Sequence, residues 1–540
     1  MKTYIRLIIS LFIVFQMIGC SNDLTEKVYS SITEQSYKFT TKDFYPVVTS
    51  VYSPMRGYIN ISHLFPTQEI TADIIVMPPN ASGWDDNGKY RRLHYHQWSA
   101  EQDHFLNIWN TFYQGALLCN NVIAQIESDA VPAPSSAAKE QGLAEVRATR
   151  AYYYWMILDN FGDAPMTTVA NTQELPEKSS RQEIFNYIVS ELQEVVPKLS
   201  DEQGGNMYGR FNRWGAKALL ANIFLNAEVY TGQPKWSECI AQCDDIINSG
   251  KCELSPDFKD PFKAHGVETS KEVLFTIPFD RLYGTGNNLH LFAWHAVMKY
   301  KYNTEAMPWG AGTAKGITQF IDTYDPDDQR LPDSWMIGPQ YAANGDVLYG
   351  LYDQKDEPFT FTKDLPSGNY TKESEGYMMN KFEVEQGETS DLATDFPVFR
   401  YAQVLMMKAE CLLRLGQSGA GALVTQVRQR AFKNNPEKAM VTDEQLKGNS
   451  AYKYGYVENY VITDPGDQSP VQFGRMYDEL GWEFTWEMQR RRDCIRYGVF
   501  TTKSWLSHKP QGAFHTVFPI PQTALTANPK LSQNTAYSGN

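Results

Sequence analysis

No stretch of the 540-residue sequence is apolar for 18 residues, the length at which a segment is interpreted as a membrane-spanning helix. The apolar run near the N-terminus covers residues 7–18, which at ~1.5 Å per residue reaches roughly 18 Å, short of the ~30 Å hydrocarbon core. Lys2 and Arg6 precede this run, and Gly19 follows it. A positive start, a short apolar core and a small residue predict a cleaved secretory signal rather than a span.

Basic charge is also scarce, because 49 Lys and Arg face 63 Asp and Glu, which gives a net charge of −14. The basic cluster that stands out is residues 490–492. Such a chain repels phosphate backbones, so we expect no nucleic-acid partner. Uncharged ligands remain compatible with this composition.

Cysteine is rare, with seven residues in the chain. Cys119, Cys411 and Cys494 lie in apolar helical patterns, where a buried thiol behaves as a small hydrophobe. A bridge between Cys243 and Cys252 remains open, since an exported protein can form disulfides. No histidine stands near these two residues, which disfavours a metal site there.

Motifs of catalysis and of cofactor binding are missing. The sequence contains no G-x-S-x-G and no H-E-x-x-H, and its Gly-rich segments GAGTAKG and GQSGAGA lack the ending of a phosphate-binding loop. His94, His96 and His104 lie close in sequence, but no acid or cysteine completes an obvious set of metal ligands. We therefore predict neither an enzyme nor a cofactor.

Helical periodicity dominates the chain. Apolar residues recur three and four apart in several segments, which predicts helices: 102–126, 151–158, 183–196, 213–230, 236–248, 398–412 and 480–495. Two segments, around residues 219–250 and 405–431, each resemble a degenerate tetratricopeptide helix pair. Residues 255–394 and the tail after 501 are instead rich in Tyr, Trp, Gly, Pro and Asp. We interpret the first of these as a loop-rich insertion on a mostly α scaffold.

Several motifs together resemble the SusD/RagB family. They are RAYYYWMILDNFGDAPM (150–166), FPVFRYAQVLMMKAECLLRLG (396–416), ELGWEFTWEMQRRRDCIRYG (479–498) and FPIPQTALTANPKLSQNTAY (518–537), which occur in the family's order. The resemblance implies a SusD-like fold with about four tetratricopeptide-like helix pairs. It also implies a cell-surface lipoprotein that captures a glycan and passes it to a SusC-like TonB-dependent outer-membrane barrel. The charged residues of these motifs, among them Arg400, Glu410, Glu487 and Arg491, are expected to form structural ion pairs.

The start of the chain is similar to a bacterial lipoprotein signal. Gly19 and Cys20 end the apolar run in the order of a lipobox, with Met17 at the usual leucine position. The resemblance implies removal of residues 1–19 and acylation of Cys20, with residues 20–35 as a polar tether and residues 36–540 as a single domain. The mature protein would then be held on the cell outer membrane. By analogy with the family, the acidic residues Asp23 and Glu26 after the cysteine imply that it faces outwards. Acyl chains contribute ~0.8 kcal/mol per buried CH₂, so such an anchor is durable.

Candidate ligand residues follow from the chemistry of a sugar, which offers an apolar face to aromatic rings and hydroxyls to planar polar groups. Two stretches supply both and match the family's ligand-bearing regions. The first contains Asp73, Trp84, Arg91, Tyr95, His96 and Trp98, and the second contains Trp294, Tyr300 and Trp309.

Two other functions stay open at this point. A surface glycoside hydrolase needs a pair of carboxylates ~5–9 Å apart, and acids are plentiful in this chain. A peptide-binding protein or a pure docking scaffold of the same transporter would also use tetratricopeptide-like helices. The aromatic insertion favours a ligand-binding protein, because a pure scaffold has no need of it.

Overall fold

The computed structural model describes residues 37–305, 314–389 and 391–537. The α-helices, numbered in chain order, are α1 Phe44–Ser50, α2 Leu64–Glu69, α3 Lys89–Tyr95, α4 Asp103–Glu127, α5 Ser136–Phe161, α6 Arg181–Val195, α7 Arg213–Leu225, α8 Ala227–Thr231, α9 Trp236–Asn248, α10 Leu289–Ala293, α11 Met298–Tyr302, α12 Thr318–Ile321, α13 Arg330–Ser334, α14 Tyr401–Arg414, α15 Ala420–Arg428, α16 Asp443–Leu446, α17 Gly474–Phe484, α18 Arg490–Arg496 and α19 Gln522–Ala527.

Strands are few and short. They are β1 Ile75–Val76, β2 Ala164–Pro165, β3 Lys178–Ser179, β4 Val273–Ile277, β5 Lys315–Gly316, β6 Trp335–Met336, β7 Gly338–Pro339, β8 Thr360–Phe361, β9 Met378–Met379, β10 Phe396–Arg400, β11 Gly455–Glu458, β12 Val461–Asp464 and β13 Trp505–Leu506. Short 3₁₀ segments are Ser53–Ile59, Asp86–Gly88, Val196–Lys198, Gly205–Met207, Asp260–Phe262, Val267–Thr269, Pro436–Ala439, Ala513–Thr516 and Thr535–Tyr537. The mostly α prediction is confirmed.

The helices pack in sequence order as a row. Helix α4 packs on α5 and α5 on α6, while α9 lies between α7 and α14, and α15 packs on α14. Helix α5 is the central element, since every residue from 148 to 161 is buried, as its all-round apolar pattern predicts. Among the described residues no helix has the length and apolarity to cross a membrane.

Helix ends follow the local sequence. Ser135 accepts a hydrogen bond from the Ala138 N–H at the start of α5, and Ser180 forms a capping box with Glu183 at the start of α6. Gly162 follows α5 with φ of 70°, a backbone conformation that a glycine adopts without strain. The helices predicted at 102–126 and 236–248 agree with α4 and α9 to within a residue or two at each end.

The helix predicted over 213–230 is divided at Asn226 into α7 and α8. Two further predicted helices are wrong in detail. Val398 lies in β10, which pairs antiparallel with β4, so the helix predicted from 398 begins at Tyr401. The helix predicted over 480–495 is broken into α17 and α18, because Trp486 and Met488 have positive φ values of 68° and 56°.

A buried ion-pair network explains the last two corrections. Arg400, at the end of β10, binds Glu272 at 2.6 Å and Glu487 at 2.7 Å. Arg430 binds Glu272 and Glu483, each at 2.6 Å. A buried charge is stable only when it has a partner of opposite charge. Because the chain leaves the helical path between α17 and α18, the Glu487 carboxylate contacts Arg400 instead of lying on a helix face.

The loop-rich stretch 255–394 contains only short elements in its described part. A small antiparallel meander occupies residues 338–361, where Tyr341 is opposite Val347 and Tyr349 is opposite Pro358. This stretch meets the helical row through β4 and β10, and its loops carry most of the exposed tyrosines described below.

Candidate functional site

Asp73 is fully buried and takes part in the core rather than in a surface. Its carboxylate binds Arg490 Nε at 2.7 Å and accepts hydrogen bonds from the hydroxyls of Tyr454 at 3.0 Å and Tyr477 at 2.7 Å. A ligand would have to displace this buried pair to reach it. In this structure Asp73 has a structural role, and its direct contact with a ligand stays a prediction.

His96 and Trp294 are likewise enclosed. The His96 Nε2 atom lies 2.8 Å from the Thr71 carbonyl oxygen, and its ring stacks on Phe500. The Trp294 indole stacks on Tyr302 with centroids 4.9 Å apart and donates to the Met379 carbonyl at 3.1 Å. Both side chains are buried, His96 lines a cleft described below, and direct ligand contact by either residue stays a prediction.

Trp98 is 6% exposed and lies against the C-terminal segment, with its ring centroid 5.0 Å from that of His96. Its indole N–H donates to the Tyr537 hydroxyl at 2.8 Å. Trp98 and His96 line a cleft with that segment, and this cleft shares no lining residue with the cavity at Tyr300.

Trp84, Arg91 and Tyr95 are half-buried around helix α3. The Trp84 ring packs on Tyr90 at 5.4 Å, and Arg91 Nε donates to Asp85 at 2.9 Å. The Tyr95 hydroxyl donates to Asn369 on the loop before β9. These three side chains leave part of their surface to solvent, so they remain candidates for ligand contact.

Tyr300 has the clearest position of the predicted residues. It is 51% exposed, and the Lys299 ammonium lies 4.8 Å from its ring centroid. Tyr300 lines a cavity of about 630 Å³, which we name the Tyr300 cleft; its lining comprises Lys299, Tyr300, Asn303, Thr304, Glu305, Ala342, Ala343, Asn344, Gly387, Glu388 and Thr389. An exposed ring beside amide side chains is the arrangement that a sugar face and its hydroxyls require.

Two features fix the shape of the Tyr300 cleft. Asn303 ends helix α11 in the left-handed region, with φ of 46°, and so turns the chain away from the ring. The Ala343 N–H donates to the Tyr300 carbonyl at 2.8 Å, which holds the meander against the helix.

Glu388 is a candidate that sequence reasoning missed. It is 1% exposed, its Oε1 accepts from the Ala393 N–H at 2.9 Å, and its Oε2 has no hydrogen-bond partner in the described part of the chain. Burial raises the pKa of this carboxyl above its ordinary value. A protonated or ionised carboxyl that lines the Tyr300 cleft can exchange a hydrogen bond with a ligand hydroxyl.

A buried anchor joins the loops beside the Tyr300 cleft. The Glu373 carboxylate accepts the N–H groups of Leu351 and Tyr352, each at 2.7 Å, and lies 3.0 Å from His295 Nε2. Burial alone would raise the pKa of Glu373, but the His295 ring and the backbone donors bring it to about 2. The carboxylate thus stays ionised and holds the 351–354 loop near helices α10 and α11.

Lys315 adds a second link on the other side of these loops. Its ammonium donates to the Thr371 hydroxyl at 3.0 Å and to the Lys372 carbonyl at 2.7 Å. Burial lowers the pKa of Lys315 to about 7. The loop at 369–372, which receives the Tyr95 hydrogen bond, is therefore fixed to the same framework as the Tyr300 cleft.

Exposed tyrosines extend this surface, and sequence reasoning did not name them. Tyr341, Tyr349, Tyr352 and Tyr370 are 49%, 50%, 37% and 48% exposed. For Tyr341 and Tyr349, the signal that could have found them is the Asn344-Gly345 turn between two alternating runs, which indicates a hairpin with one outward face.

Trp309 and Cys20 lie outside the described residues, so their predicted roles stay predictions. Within the described ranges no group of three or more His, Cys, Asp or Glu is arranged to hold a metal ion. Cys119, Cys239, Cys243, Cys252, Cys411 and Cys494 are buried free thiols in the structure, so the open Cys243–Cys252 bridge is not formed there.

Two models of known protein families match the chain. The model of the SusD family matches residues 260–537, and a model described as starch-binding associating with outer membrane matches residues 33–225. The starch-binding protein SusD of Bacteroides thetaiotaomicron is 26% identical over 73% of this chain and 72% of its own length. A SusD-like protein of Formosa agariphila, P25, is 22% identical over 98% of both chains.

Solved structures have the same fold. Surface glycan-binding protein A from Bacteroides thetaiotaomicron, solved with laminarihexaose, gives a TM-score of 0.67 at 18% identity and covers 91% of this chain and 99% of its own. NanU of B. fragilis gives a TM-score of 0.71 at 19% identity, with 94% and 99% covered. The first family model alone matches more than half of the sequence, and the fold agrees over 94% of the chain: the chain belongs to the SusD family.

Proposed function

We propose that this protein captures a glycan at the Tyr300 cleft without changing a covalent bond. The observation that carries the proposal is the exposed Tyr300 ring beside Lys299, Asn303 and Asn344 in a cavity of about 630 Å³. Cavities of ~300–1,000 Å³ are typical of ligand sites. The names of a starch-binding relative and of a structure bound to laminarihexaose support the ligand class.

Glu388 gives the cleft a polar anchor. In this proposal its unpartnered Oε2 bonds a ring hydroxyl while a sugar face lies on Tyr300. A site with a buried polar group discriminates strongly against a ligand that leaves the group unpaired, since that costs roughly 1–3 kcal/mol. Glu388 then contributes more to the choice of sugar than to overall affinity.

Trp84, Arg91, Tyr95 and Trp309 extend the proposal beyond the cleft. Trp84 and Tyr95 expose aromatic surface around α3, and Tyr95 is bonded to the loop that precedes Tyr370. In this proposal a longer glycan that rests on Tyr300 also contacts these rings. Several weak stacking contacts, each worth about 0.5–1.5 kcal/mol, suit capture and later release.

The test of capture is calorimetry of the chain from Ser21 onward against a panel of plant, host and microbial polysaccharides, with product analysis of the same mixtures. We expect saturable binding to at least one glycan and no shortened product. Release of oligosaccharides would contradict the proposal and favour the hydrolase alternative. Binding to peptides with no glycan hit would favour the peptide-binding alternative.

The membrane and transporter parts of the proposal rest on family membership. The family model that matches residues 33–225 is described as associating with the outer membrane. We infer that acylated Cys20 anchors the protein there and that it delivers the glycan to a SusC-like TonB-dependent barrel. Cys20→Ala should move the protein from the membrane fraction to the soluble fraction, and an unchanged distribution would reject the anchor.

A further inference from the structure

A second cleft lies between the C-terminal segment and the turn that follows helix α3. Its volume is about 550 Å³, and we name it the C-terminal cleft; it is lined by His96, Gln97, Trp98, Ser99, Ala100, Gln511, Phe514, His515, Pro519, Gln522, Leu525, Gln533 and Tyr537. None of these residues lines the Tyr300 cleft. The two cavities are therefore distinct.

Aromatic rings in fixed positions form one wall of the C-terminal cleft. The Tyr537 hydroxyl accepts the Trp98 N–H at 2.8 Å and donates to the Val517 carbonyl at 2.9 Å. The Phe514 ring meets Tyr537 edge to face with centroids 4.8 Å apart, and it lies 4.0 Å from His515. Rings that are held in this way need no ordering when a ligand arrives.

The opposite wall is tied to the turn after α3. The Gln522 N–H donates to the Ala100 carbonyl at 3.0 Å, which joins helix α19 to that turn. Gln533 is bonded at both ends of its amide to Ile520, with Nε2 donating at 2.8 Å and Oε1 accepting at 2.8 Å. The cavity is therefore part of the folded framework and not a gap between loose loops.

The polar groups that line this cavity are amides, hydroxyls and imidazoles. Gln97, Gln511 and Gln522 are exposed, and they bring amide groups to its rim. Among the described lining residues none is a Lys, Arg, Asp or Glu, although such residues make up 21% of the chain. The Tyr300 cleft, by contrast, contains Lys299, Glu305 and Glu388.

The histidines do not add charge at neutral pH. Burial lowers the pKa of His515 below its ordinary value, and burial lowers that of His96 much further. An uncharged wall of rings and amides suits a ligand with apolar faces, many hydroxyls and no net charge.

We propose that the C-terminal cleft is a second carbohydrate site that binds a short uncharged oligosaccharide. The ligand class rests on the proposed function, but the location does not depend on the Tyr300 cleft. A sugar face would lie on the Phe514 ring, which stands edge to face with Tyr537, and the amides of Gln97 and Gln522 would bond its hydroxyls.

Two sites on one chain would change how a polymer is held. A polysaccharide long enough to engage both gains from the high effective concentration of its second segment. A short oligosaccharide fills each site independently and gains nothing. The C-terminal cleft would thus bias capture towards long chains.

The test uses the chain from Ser21 onward, labelled with 5-fluorotryptophan, with the Trp98 resonance assigned from Trp98→Phe. Maltohexaose, laminarihexaose and xylohexaose are each titrated, and the ¹⁹F shift of Trp98 is recorded. We expect at least one hexasaccharide to shift this resonance in the wild type and in Tyr300→Ala. In Phe514→Ala/Gln522→Ala the shift should be reduced at least tenfold in apparent affinity.

Controls separate this result from folding and from the first site. The double variant must show the wild-type melting temperature and an unchanged Trp98 resonance without sugar. Gln417→Ala, an exposed glutamine outside both clefts, serves as the matched substitution. No Trp98 shift with any of the three sugars, or a shift that disappears in Tyr300→Ala, overturns the second site. If Tyr300→Ala binds all three sugars as tightly as the wild type while the Trp98 shift is intact, the proposed first site is rejected instead.

Discussion

Burial decides the role of single residues in this protein, and several acidic and aromatic side chains illustrate it. Asp73, Trp294 and Trp98 have the chemistry of ligand residues, yet each is at most 6% exposed. The sequence places them in the correct regions, because the neighbouring loops do reach the surface. The sequence does not reveal which of these side chains faces inward. Burial of Asp73 and Trp98 depends on contacts with Arg490 and Tyr537, which are hundreds of residues away in sequence, and burial of Trp294 depends on Tyr302 in the next helix.

Arg491 shows the same limit for a charged residue. The sequence predicts an ion pair, but Arg491 donates to the Thr516 carbonyl at 2.9 Å and lies 4.3 Å over the Phe518 ring. Its Nε and Nη1 atoms have no hydrogen-bond partner in the described part of the chain. Burial lowers the pKa of this guanidinium to about 10. By contrast, Arg400, Glu487 and Glu410 form the ion pairs that the motifs predict.

Glu69 gives a testable pH dependence at the residue scale. Its side chain is buried, Oε1 accepts the Met488 N–H at 2.7 Å, and burial raises its pKa to about 8. Since the unfolded carboxyl titrates near ~4.3, the stability from this group is complete below that pH and is lost as pH rises through 8. Glu69→Gln has no carboxyl to ionise and so does not suffer this loss. The free energy of unfolding of the variant minus that of the wild type should therefore be larger at pH 8 than at pH 5.

Urea unfolding of both proteins at the two pH values measures this difference. Glu101→Gln, at an exposed site, serves as the control and should show no such trend. An equal stability difference at pH 5 and pH 8 for Glu69→Gln would mean that the carboxyl is not a buried neutral group.

Helices and strands were predictable where their signals are local. Helix α9 carries a strong apolar period, and Ser180 and Glu183 supply a capping box for α6, so both could be placed from the sequence. The boundary between β10 and α14, and the break between α17 and α18, depend on Arg400 and Glu487 meeting in the core. A local period cannot show a break imposed by a long-range ion pair.

Close packing of α4 on α5 makes a prediction at the scale of elements. A Cβ on Gly115 would lie 2.1 Å from Tyr153 Cζ, and Tyr153 is held by its hydrogen bond to the Val51 carbonyl at 2.7 Å. Alanine favours an isolated helix over glycine by ~1 kcal/mol, whereas overpacking of a core costs about 1–3 kcal/mol. Gly115→Ala should therefore lower the free energy of unfolding.

The exposed neighbour Gln114 provides the comparison, since Gln114→Ala adds helix propensity without a clash. In urea denaturation, the midpoint of Gly115→Ala should fall below that of the wild type, whereas the midpoint of Gln114→Ala should rise or stay unchanged. If Gly115→Ala matched Gln114→Ala, the helices would not be in the close contact described.

At the scale of the whole molecule, the scaffold was far more predictable than the site. Motifs between residues 150 and 537 identified the fold, because they contain the core of α5, the β10 strand and the ion pairs of α17 and α18. The Tyr300 cleft is assembled from helix α11, the 338–361 meander and the 387–389 loop, which have no common local pattern. Of its residues only Tyr300 was named from the sequence.

The central claim is that a glycan is bound by the Tyr300 cleft, and calorimetry with a matched pair of tyrosine variants tests it most directly. Tyr300→Ala removes the exposed ring beside Lys299. Tyr45→Ala removes a ring on helix α1 that is of similar exposure, 46%, and that also lies beside a cation, with the Arg210 guanidinium 5.5 Å from its centroid. With the glycan that binds best in the panel, Tyr300→Ala should weaken binding about tenfold, as expected for a lost stacking contact of ~0.5–1.5 kcal/mol. Tyr45→Ala should leave the affinity unchanged. Equal affinities for both variants and the wild type would contradict the assignment of the Tyr300 cleft as the glycan site.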